Sequence, residues 1–181
     1  AERQRRGANH LLTTPVEHPA VLRTARQLAE HAGFELELLP VDGDGLVDPQ
    51  DLATRLRTDT ALVSIIHANN EIGTINPLPA LSAICRERGI PFHTDSVQAA
   101  SQLDVNVQAV GVDLMSLGAH KFYGPKGIGV LYIRSGRTLI PSQTGGSQER
   151  DRRAGTENVP YSIGMARALE LAQAERECGP W

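Results

Sequence analysis

Cysteine, aromatic residues and long apolar runs are all scarce in this sequence. Two cysteines among 181 residues, Cys85 and Cys178, cannot build the disulfide framework of a small secreted protein, and they favour a reducing cytoplasm. No apolar run approaches the ~20 residues that a helix needs to span a bilayer. The basic opening segment AERQRRGANH also lacks the apolar centre of a signal peptide. The sequence therefore predicts a cytoplasmic protein without membrane association.

Blocks of like charge are absent as well. The net charge is −3, and the 18 lysines and arginines are spread along the chain, so no nucleic-acid partner is predicted. The Asp-Gly repeat at 42–45 lacks the further ligands of a calcium loop, so we interpret it as two turns and predict no metal site.

A hydrophobic content of 40% and a length of 181 residues are sufficient for one globular domain with a sizeable core. The chain begins with Ala1 rather than Met, and a strand-like segment follows almost at once. We therefore expect a piece of a longer protein.

Strand and helix signals alternate through the first two thirds of the chain. Segment 60–67, TALVSIIH, is apolar almost throughout, which is typical of a strand buried on both faces of a parallel sheet. Strands are predicted at 8–14, 34–40, 60–67, 90–94, 112–117 and 128–133. Helices are predicted from Pro19 to Gly33 and at 48–57 and 77–88. This alternation predicts an α/β fold with a mainly parallel sheet and flanking helices.

The pattern loosens after Ile133. Residues 145–156 are polar and contain glycine, and taken alone they indicate a solvated, charged loop. A long helix is predicted at 158–178, ended by Gly179 and Pro180. Its apolar residues predict an inward face made of Val159, Ile163, Ala166, Leu169 and Ala172.

Four polar residues lie beside predicted strand ends, where open α/β sheets bind ligands. By position alone, Lys121 is an ordinary surface lysine; if it were desolvated, its pKa would fall and the neutral amine would be a nucleophile. Asp95 is equally consistent with a ligand-binding carboxylate and with the cap of a following helix. His18 is consistent with a loop histidine at a helix start, and Asn70 with an ordinary turn residue.

Five segments, in order, resemble those of the cysteine desulfurases, which are pyridoxal-phosphate enzymes of the class-V aminotransferase group. They are TTPVEHPAVL, VSIIHANNEIGTINPL, IPFHTDSVQAASQLDVN, SLGAHKFYGPKGIGVLYIR and QERDRRAGTENVP. The similarity extends from about residue 11 to residue 172, and HKFYGPKG and RAGTEN favour the nitrogen-fixation-type and housekeeping branch. The resemblance implies that residues 1–181 form part of a cofactor-binding large domain. The start of that domain and a C-terminal small domain would lie outside the sequence.

The resemblance also implies roles for residues that surround pyridoxal 5′-phosphate. Lys121 would bind the cofactor covalently and act as a base, and His18 would stack on the ring and help to transfer protons. Asp95 would face the pyridine nitrogen, and Gln98 would hydrogen-bond the ring's phenolic oxygen.

Three further residues acquire roles from the same resemblance. Asn70 would contact the cofactor or the substrate, and His120 would help to position the cofactor. Thr156 would reach the cofactor phosphate of a neighbouring subunit, so the complete protein is expected to be a homodimer.

The activity implied is the conversion of L-cysteine to L-alanine. The sulfur would pass through a protein persulfide to a sulfur acceptor or an iron–sulfur scaffold protein. The residues leave two alternative functions open. One is another class-V enzyme, such as a selenocysteine lyase or a transaminase. The other is a non-catalytic remnant that binds a cofactor or a partner protein.

The sequence departs from the family pattern in several places. Gly118 stands where many members have a phosphate-binding serine, and the upstream Gly-Thr phosphate loop is absent. Neither cysteine lies in the serine- and alanine-rich loop that carries the persulfide in the family. Cys85 is expected to be a small buried residue of a helix, and Cys178 lies near the terminus. The C-terminal arginine that binds the substrate carboxylate is also missing.

Overall fold

A single six-stranded sheet organises the chain. The computed structural model describes residues 1–177; the predicted helix end at Cys178, Gly179 and Pro180 lies outside the described residues. The strands are β1 (His10–Thr13), β2 (Glu35–Leu38), β3 (Thr60–Ser64), β4 (Phe92–Asp95), β5 (Leu114–Gly118) and β6 (Gly129–Ile133). Their spatial order is β2-β1-β3-β4-β5-β6, and every pairing is parallel except β5 with β6. The predicted mainly parallel α/β fold is confirmed.

Helices connect most of the strands. They are α1 (Glu2–Arg6), α2 (Pro19–Ala32), α3 (Pro49–Arg55), α4 (Leu78–Glu87), α5 (Val107–Val110), α6 (Gln148–Asp151) and α7 (Val159–Glu177). Single 3-10 turns occur at Ala99–Ser101 and Ala119–Lys121. The short helices α1 and α5 were not predicted, because each is only about one turn long. None of the helices within residues 1–177 combines the length and the apolarity needed to cross a membrane.

The end signals of α2 and α3 act as predicted. Gly33 ends α2 in the left-handed conformation (φ 65°), and its N–H donates to the carbonyl of Leu28. Asp48 caps α3 by accepting a hydrogen bond from the backbone N–H of Gln50 (2.8 Å). These caps fix where the connections return to the sheet.

Alternate residues of β1 and β3 pack into separate apolar clusters. Leu12 and its partner Val63 belong to the largest cluster, and Leu11 and its partner Leu62 belong to a smaller one. Since side chains alternate across a strand, both faces of the sheet are covered at this point. The prediction that β3 is buried on both faces is confirmed.

The predicted inward face of α7 is wrong at three positions. Val159 is 56% exposed, Ile163 is 64% exposed and Ala166 is also exposed. The packed residues are instead Met165, Ala168, Leu169 and Ala172, which join Phe122 in one cluster. Apolar residues occur on several sides of this helix, so their spacing could not fix which side turns inward.

The polar stretch before α7 contains an unusual backbone segment. The last three residues of α6, Glu149, Arg150 and Asp151, have φ values of 51°, 57° and 60°. Left-handed conformations cost non-glycine residues roughly 1–2 kcal/mol each. This segment therefore does not form a regular helix, and the prediction of a loop describes it better.

Candidate cofactor site

The carboxyl ends of β1, β3, β4 and β5 meet at one edge of the sheet, because these strands are parallel. The segments that follow these ends carry six of the seven predicted site residues: His18, Asn70, Asp95, Gln98, His120 and Lys121. The fold therefore brings to one edge residues that are separated by up to about a hundred positions in the sequence. Ligands of open α/β sheets bind at this kind of edge.

Asp95 is the last residue of β4. It is paired with Ser116 of β5 and is buried, and its Oδ1 accepts a hydrogen bond from the backbone N–H of Val97 (2.9 Å). A turn follows rather than an α-helix, so the reading of Asp95 as the cap of a helix is wrong. Gln98 lies in this turn: it is half-buried and immediately precedes the 3-10 turn Ala99–Ser101.

Lys121 ends the 3-10 turn that follows β5. Ala119 holds this turn, since its N–H donates to the carbonyl of Ile128 (3.2 Å) and its carbonyl accepts from the N–H of Gly124 (2.9 Å). The next residue, Phe122, is buried and anchors the turn in the apolar cluster with α7. The Lys121 side chain itself is exposed, so the described residues do not desolvate it.

Gly118 and His120 fit closely together. A Cβ atom built on Gly118 would lie 3.1 Å from Cε1 of His120 and 3.2 Å from Cγ1 of Val97. The imidazole thus lies against the bare backbone of Gly118, and a side chain at this position would require the exposed His120 ring or Val97 to shift by a few tenths of an ångström.

His18 caps α2 through its side chain. Its Nδ1 accepts a hydrogen bond from the backbone N–H of Ala20 (3.2 Å), which leaves Nε2 available to a ligand. The imidazole is exposed. It therefore combines the structural role expected of a loop histidine with a position at the sheet edge.

The turn that carries His18 is tied to the segment after β3. The backbone N–H of Ile66 donates to Oε1 of Glu17 (2.7 Å), and the amide of Asn69 donates to the carbonyl of Val16 (2.8 Å). Asn69 is therefore the turn-forming member of the tandem pair, while the side chain of Asn70 is exposed. This division is consistent with the predicted ligand role of Asn70.

Two histidines near Asp95 were missed from the sequence: His67 is buried and His93 is half-buried. Nδ1 of His93 lies 2.7 Å from the hydroxyl of Ser64, and its Nε2 lies 2.9 Å from the hydroxyl of Ser116, so the ring links β3, β4 and β5. Burial lowers the pKa of His93 to about 4, against the opposing effect of Asp95. Burial also lowers the pKa of His67. The available signal was the i, i+2 spacing of His93 and Asp95, which places both on one face of β4.

Glu17 was also missed as a site residue. Its side chain is buried behind the exposed His18, and burial raises its pKa to about 8. The signal was an acid three residues after a predicted strand and directly before a histidine. Acids in such positions are exposed more often than not, so the sequence alone did not single it out.

Thr156 and Cys85 do not belong to the segments that follow the four strand ends. Thr156 is exposed in the segment before α7, and its assignment to a neighbouring subunit's cofactor stays a prediction. Cys85 lies on α4 with no exposed surface, and burial raises its pKa to about 12. The buried role predicted for Cys85 is confirmed. Within residues 1–177, no group of three or more histidine, cysteine or acidic side chains is arranged to hold a metal ion.

The side chains at the edge match the groups that pyridoxal phosphate presents. An aldehyde needs an accessible amine, which the exposed Lys121 provides, and a pyridine nitrogen needs a buried carboxylate, which Asp95 provides. The imidazole of His18 offers a flat surface for the ring. The residues present therefore fit the cofactor.

Comparison with known proteins gives one family. The profile of the class-V aminotransferases matches residues 1–177. A curated relative, the cysteine desulfurase IscS of Dictyoglomus turgidum, is 56% identical over 168 residues, which cover 93% of this chain and 42% of that protein.

Two solved structures have the same fold. A NifS-like protein superposes with a TM-score of 0.91 at 40% identity, over 97% of this chain and 49% of its own. SspA, solved in complex with cysteine, superposes with a TM-score of 0.87 at 39% identity, over 93% of this chain and 49% of its own. The chain thus spans less than half the length of each of these proteins.

Proposed function

The chain belongs to the class-V aminotransferase family, and we propose that the whole protein is a pyridoxal-phosphate-dependent cysteine desulfurase. The observation that carries the proposal is the meeting of Lys121, Asp95 and His18 at one sheet edge. Similarity to the cysteine desulfurase IscS supports the choice of reaction within the family.

Each of these residues has a distinct task in the proposed reaction. Bound pyridoxal phosphate would supply an electron sink for the electrons left when the substrate loses its α-proton. Nζ of Lys121 would hold the cofactor at rest and accept that proton during turnover. The buried carboxylate of Asp95 would keep a negative charge at the ring nitrogen, and His18 would cover the ring and exclude water from one side.

Further parts of the proposal concern partners. L-cysteine is the proposed substrate, which the cysteine complex of the similar SspA structure supports. We also propose a homodimer, with Thr156 reaching the partner's cofactor phosphate, and a sulfur acceptor or iron–sulfur scaffold protein that takes the persulfide sulfur. Cytoplasmic location remains part of the proposal.

We propose that Cys85 is not the cysteine that accepts the sulfur. A thiol with no exposed surface and a pKa of about 12 forms little thiolate at neutral pH and cannot reach a substrate. The nucleophile would therefore lie outside the described residues. This observation is also consistent with the alternative function, a class-V enzyme that needs no nucleophilic cysteine.

The test is a product analysis of the whole protein with L-cysteine and pyridoxal phosphate. Alanine and sulfide in equal amounts with a reductant, and a protein persulfide without it, would support the proposal. Alanine or another product formed without any persulfide would instead support a different class-V reaction. Lys121→Arg is the matched control, because it keeps the positive charge but cannot take part in covalent binding of the cofactor.

A further inference from the structure

Glu17 connects the turn before α2 to the neighbouring strand. Only 6% of its surface is exposed. Its Oε1 accepts hydrogen bonds from the hydroxyl of Thr14 (2.9 Å) and from the backbone N–H of Ile66 (2.7 Å). The carboxyl group thus fixes the residue directly before His18 against the segment that follows β3.

The second oxygen of Glu17 is in a different situation. Oε2 is buried and has no hydrogen-bond partner among the described residues. A buried carboxylate with one unpaired oxygen loses much of its hydration free energy without compensation. Protonation removes the charge and turns Oε2 into a donor, and burial accordingly raises the pKa of Glu17 to about 8.

Asp95 acts on Glu17 in the same direction, because its negative charge also raises the pKa of Glu17. A negative charge disfavours a second one nearby, so the charge of Asp95 adds to the effect of burial in keeping the proton on Glu17. Asp95 has a hydrogen bond from the N–H of Val97 to stabilise its charge. The segments around this edge also carry the titratable groups of His18, His67, Glu71, His93, His120 and Lys121.

We propose that Glu17 is a positioning residue of the site: it remains a neutral acid that holds the His18 turn against β3 and leaves Asp95 as the single negative charge of the pair. The importance of that single charge rests on the proposed function, in which Asp95 faces the ring nitrogen. The charge division itself is a property of this chain and can be measured without cofactor.

The first experiment is a carbon-13 NMR titration of the 181-residue chain without cofactor, with label in the glutamate carboxyl groups. The Glu17 signal is identified by its loss in Glu17→Gln. We expect its midpoint near pH 8, and we expect Asp95→Asn to lower that midpoint because the neighbouring charge is removed. Asp51→Asn, on α3, is the matched control: Asp51 is not among the charges that shift the pKa of Glu17, so its removal should leave the midpoint unchanged.

A Glu17 signal already ionised at pH 6 would overturn the proposal. So would a midpoint that responds equally to Asp95→Asn and Asp51→Asn. Asp95→Asn keeps an oxygen for the N–H of Val97 and should fold. If Asp95→Asn does not fold, the infrared band of a protonated carboxyl group in wild-type protein tests whether Glu17 is neutral. That band should be present at pH 6.5, lost above pH 9 and absent from Glu17→Gln.

A second experiment addresses positioning in the whole protein with bound cofactor. The pH midpoint of the cofactor's visible absorbance band reports the charge around the ring. We expect Glu17→Asp, which shortens the side chain but keeps it ionisable, to shift this midpoint. We expect Glu17→Gln to leave the midpoint at its wild-type value. Equal shifts in both variants would refute the neutral-acid role. If the wild-type whole protein does not bind the cofactor, that result counts against the proposed function. The NMR result is independent of it, because it is measured without cofactor.

Discussion

The backbone N–H of Ile66 donates a 2.7 Å hydrogen bond to Oε1 of Glu17. The buried Glu17 side chain thus connects the segment after β1 to the segment after β3. The pKa of Glu17 is raised from an ordinary value of 4.5 to about 8. Between these two pH values the folded protein binds one more proton than the unfolded chain. The free energy of unfolding therefore falls as the pH rises, by up to about 1.4 kcal/mol per pH unit from this group.

The first prediction follows from that linkage. Glu17→Gln should remove this part of the pH dependence, so the variant should gain stability relative to wild type as the pH rises from 5 to 8. Urea unfolding of both proteins at several pH values measures the difference. The lowered pKa of His93 contributes an opposite slope at lower pH, but this contribution is common to both proteins and cancels. A constant difference across this pH range would contradict the prediction.

Lys121 is predicted to be the residue that binds pyridoxal phosphate covalently. Its exposed side chain at the end of the 3-10 turn after β5 is accessible to an aldehyde. Borohydride reduction followed by peptide mapping should place the cofactor on Lys121, and Lys121→Ala should abolish it. Lys126, exposed five residues further along, is the internal control; label at Lys126 in wild-type protein would show that the assignment is wrong.

The predictability of the fold differs between its parts for physical reasons. The strands and α2 could be predicted, because continuous apolar segments and end signals such as Gly33 are local properties of the sequence. The inward side of α7 could not, since Val159 and Ile163 are as apolar as the residues that pack. Which side is covered depends on contacts with Phe122, which is distant in sequence.

The site shows the same contrast. Lys121 and Asp95 could be predicted as site residues because the segments around them resemble a known family, and their roles stay predictions. Glu17 and His93 have their unusual properties only through burial and through partners that are distant in sequence. These are Ile66 for Glu17, and Ser64 and Ser116 for His93. No local pattern reveals such tertiary contacts.

Asp95 is predicted to tune the cofactor ring and not only to shape its own turn. Asp95→Asn keeps an oxygen for the N–H of Val97 but removes the negative charge. In the whole protein, exchange of the substrate α-proton should fall by roughly a hundredfold or more, the cost typical of removing one group that stabilises charge. Proton exchange followed by NMR in deuterated solvent measures this. Unchanged exchange in a folded variant would make Asp95 a structural residue.

The exposed apolar residues of α7 are predicted to make the 181-residue chain self-associate. Val159 and Ile163 are both more than half exposed on this helix, and Tyr123, at 97% exposure, follows Lys121 by two residues. Apolar surface of this kind marks a contact region. Ile163→Lys should shift sedimentation velocity profiles towards the monomer. Ile140→Lys, at a residue with 53% exposure elsewhere, should have a smaller effect, and equal effects would argue against a specific surface on α7.

Cys85 is predicted to contribute packing and not sulfur chemistry. Its thiol lies in the main apolar cluster, and deleting one buried sulfur atom should cost roughly 1 kcal/mol of unfolding free energy. Cys85→Ala in the whole protein should therefore lower thermal stability slightly and leave sulfide release per folded molecule unchanged. Mass spectrometry after incubation with L-cysteine should locate the persulfide on a different cysteine. If Cys85→Ala instead abolished the persulfide while the protein stayed folded, the buried thiol would have to become exposed during turnover, and its assignment as a packing residue would be wrong.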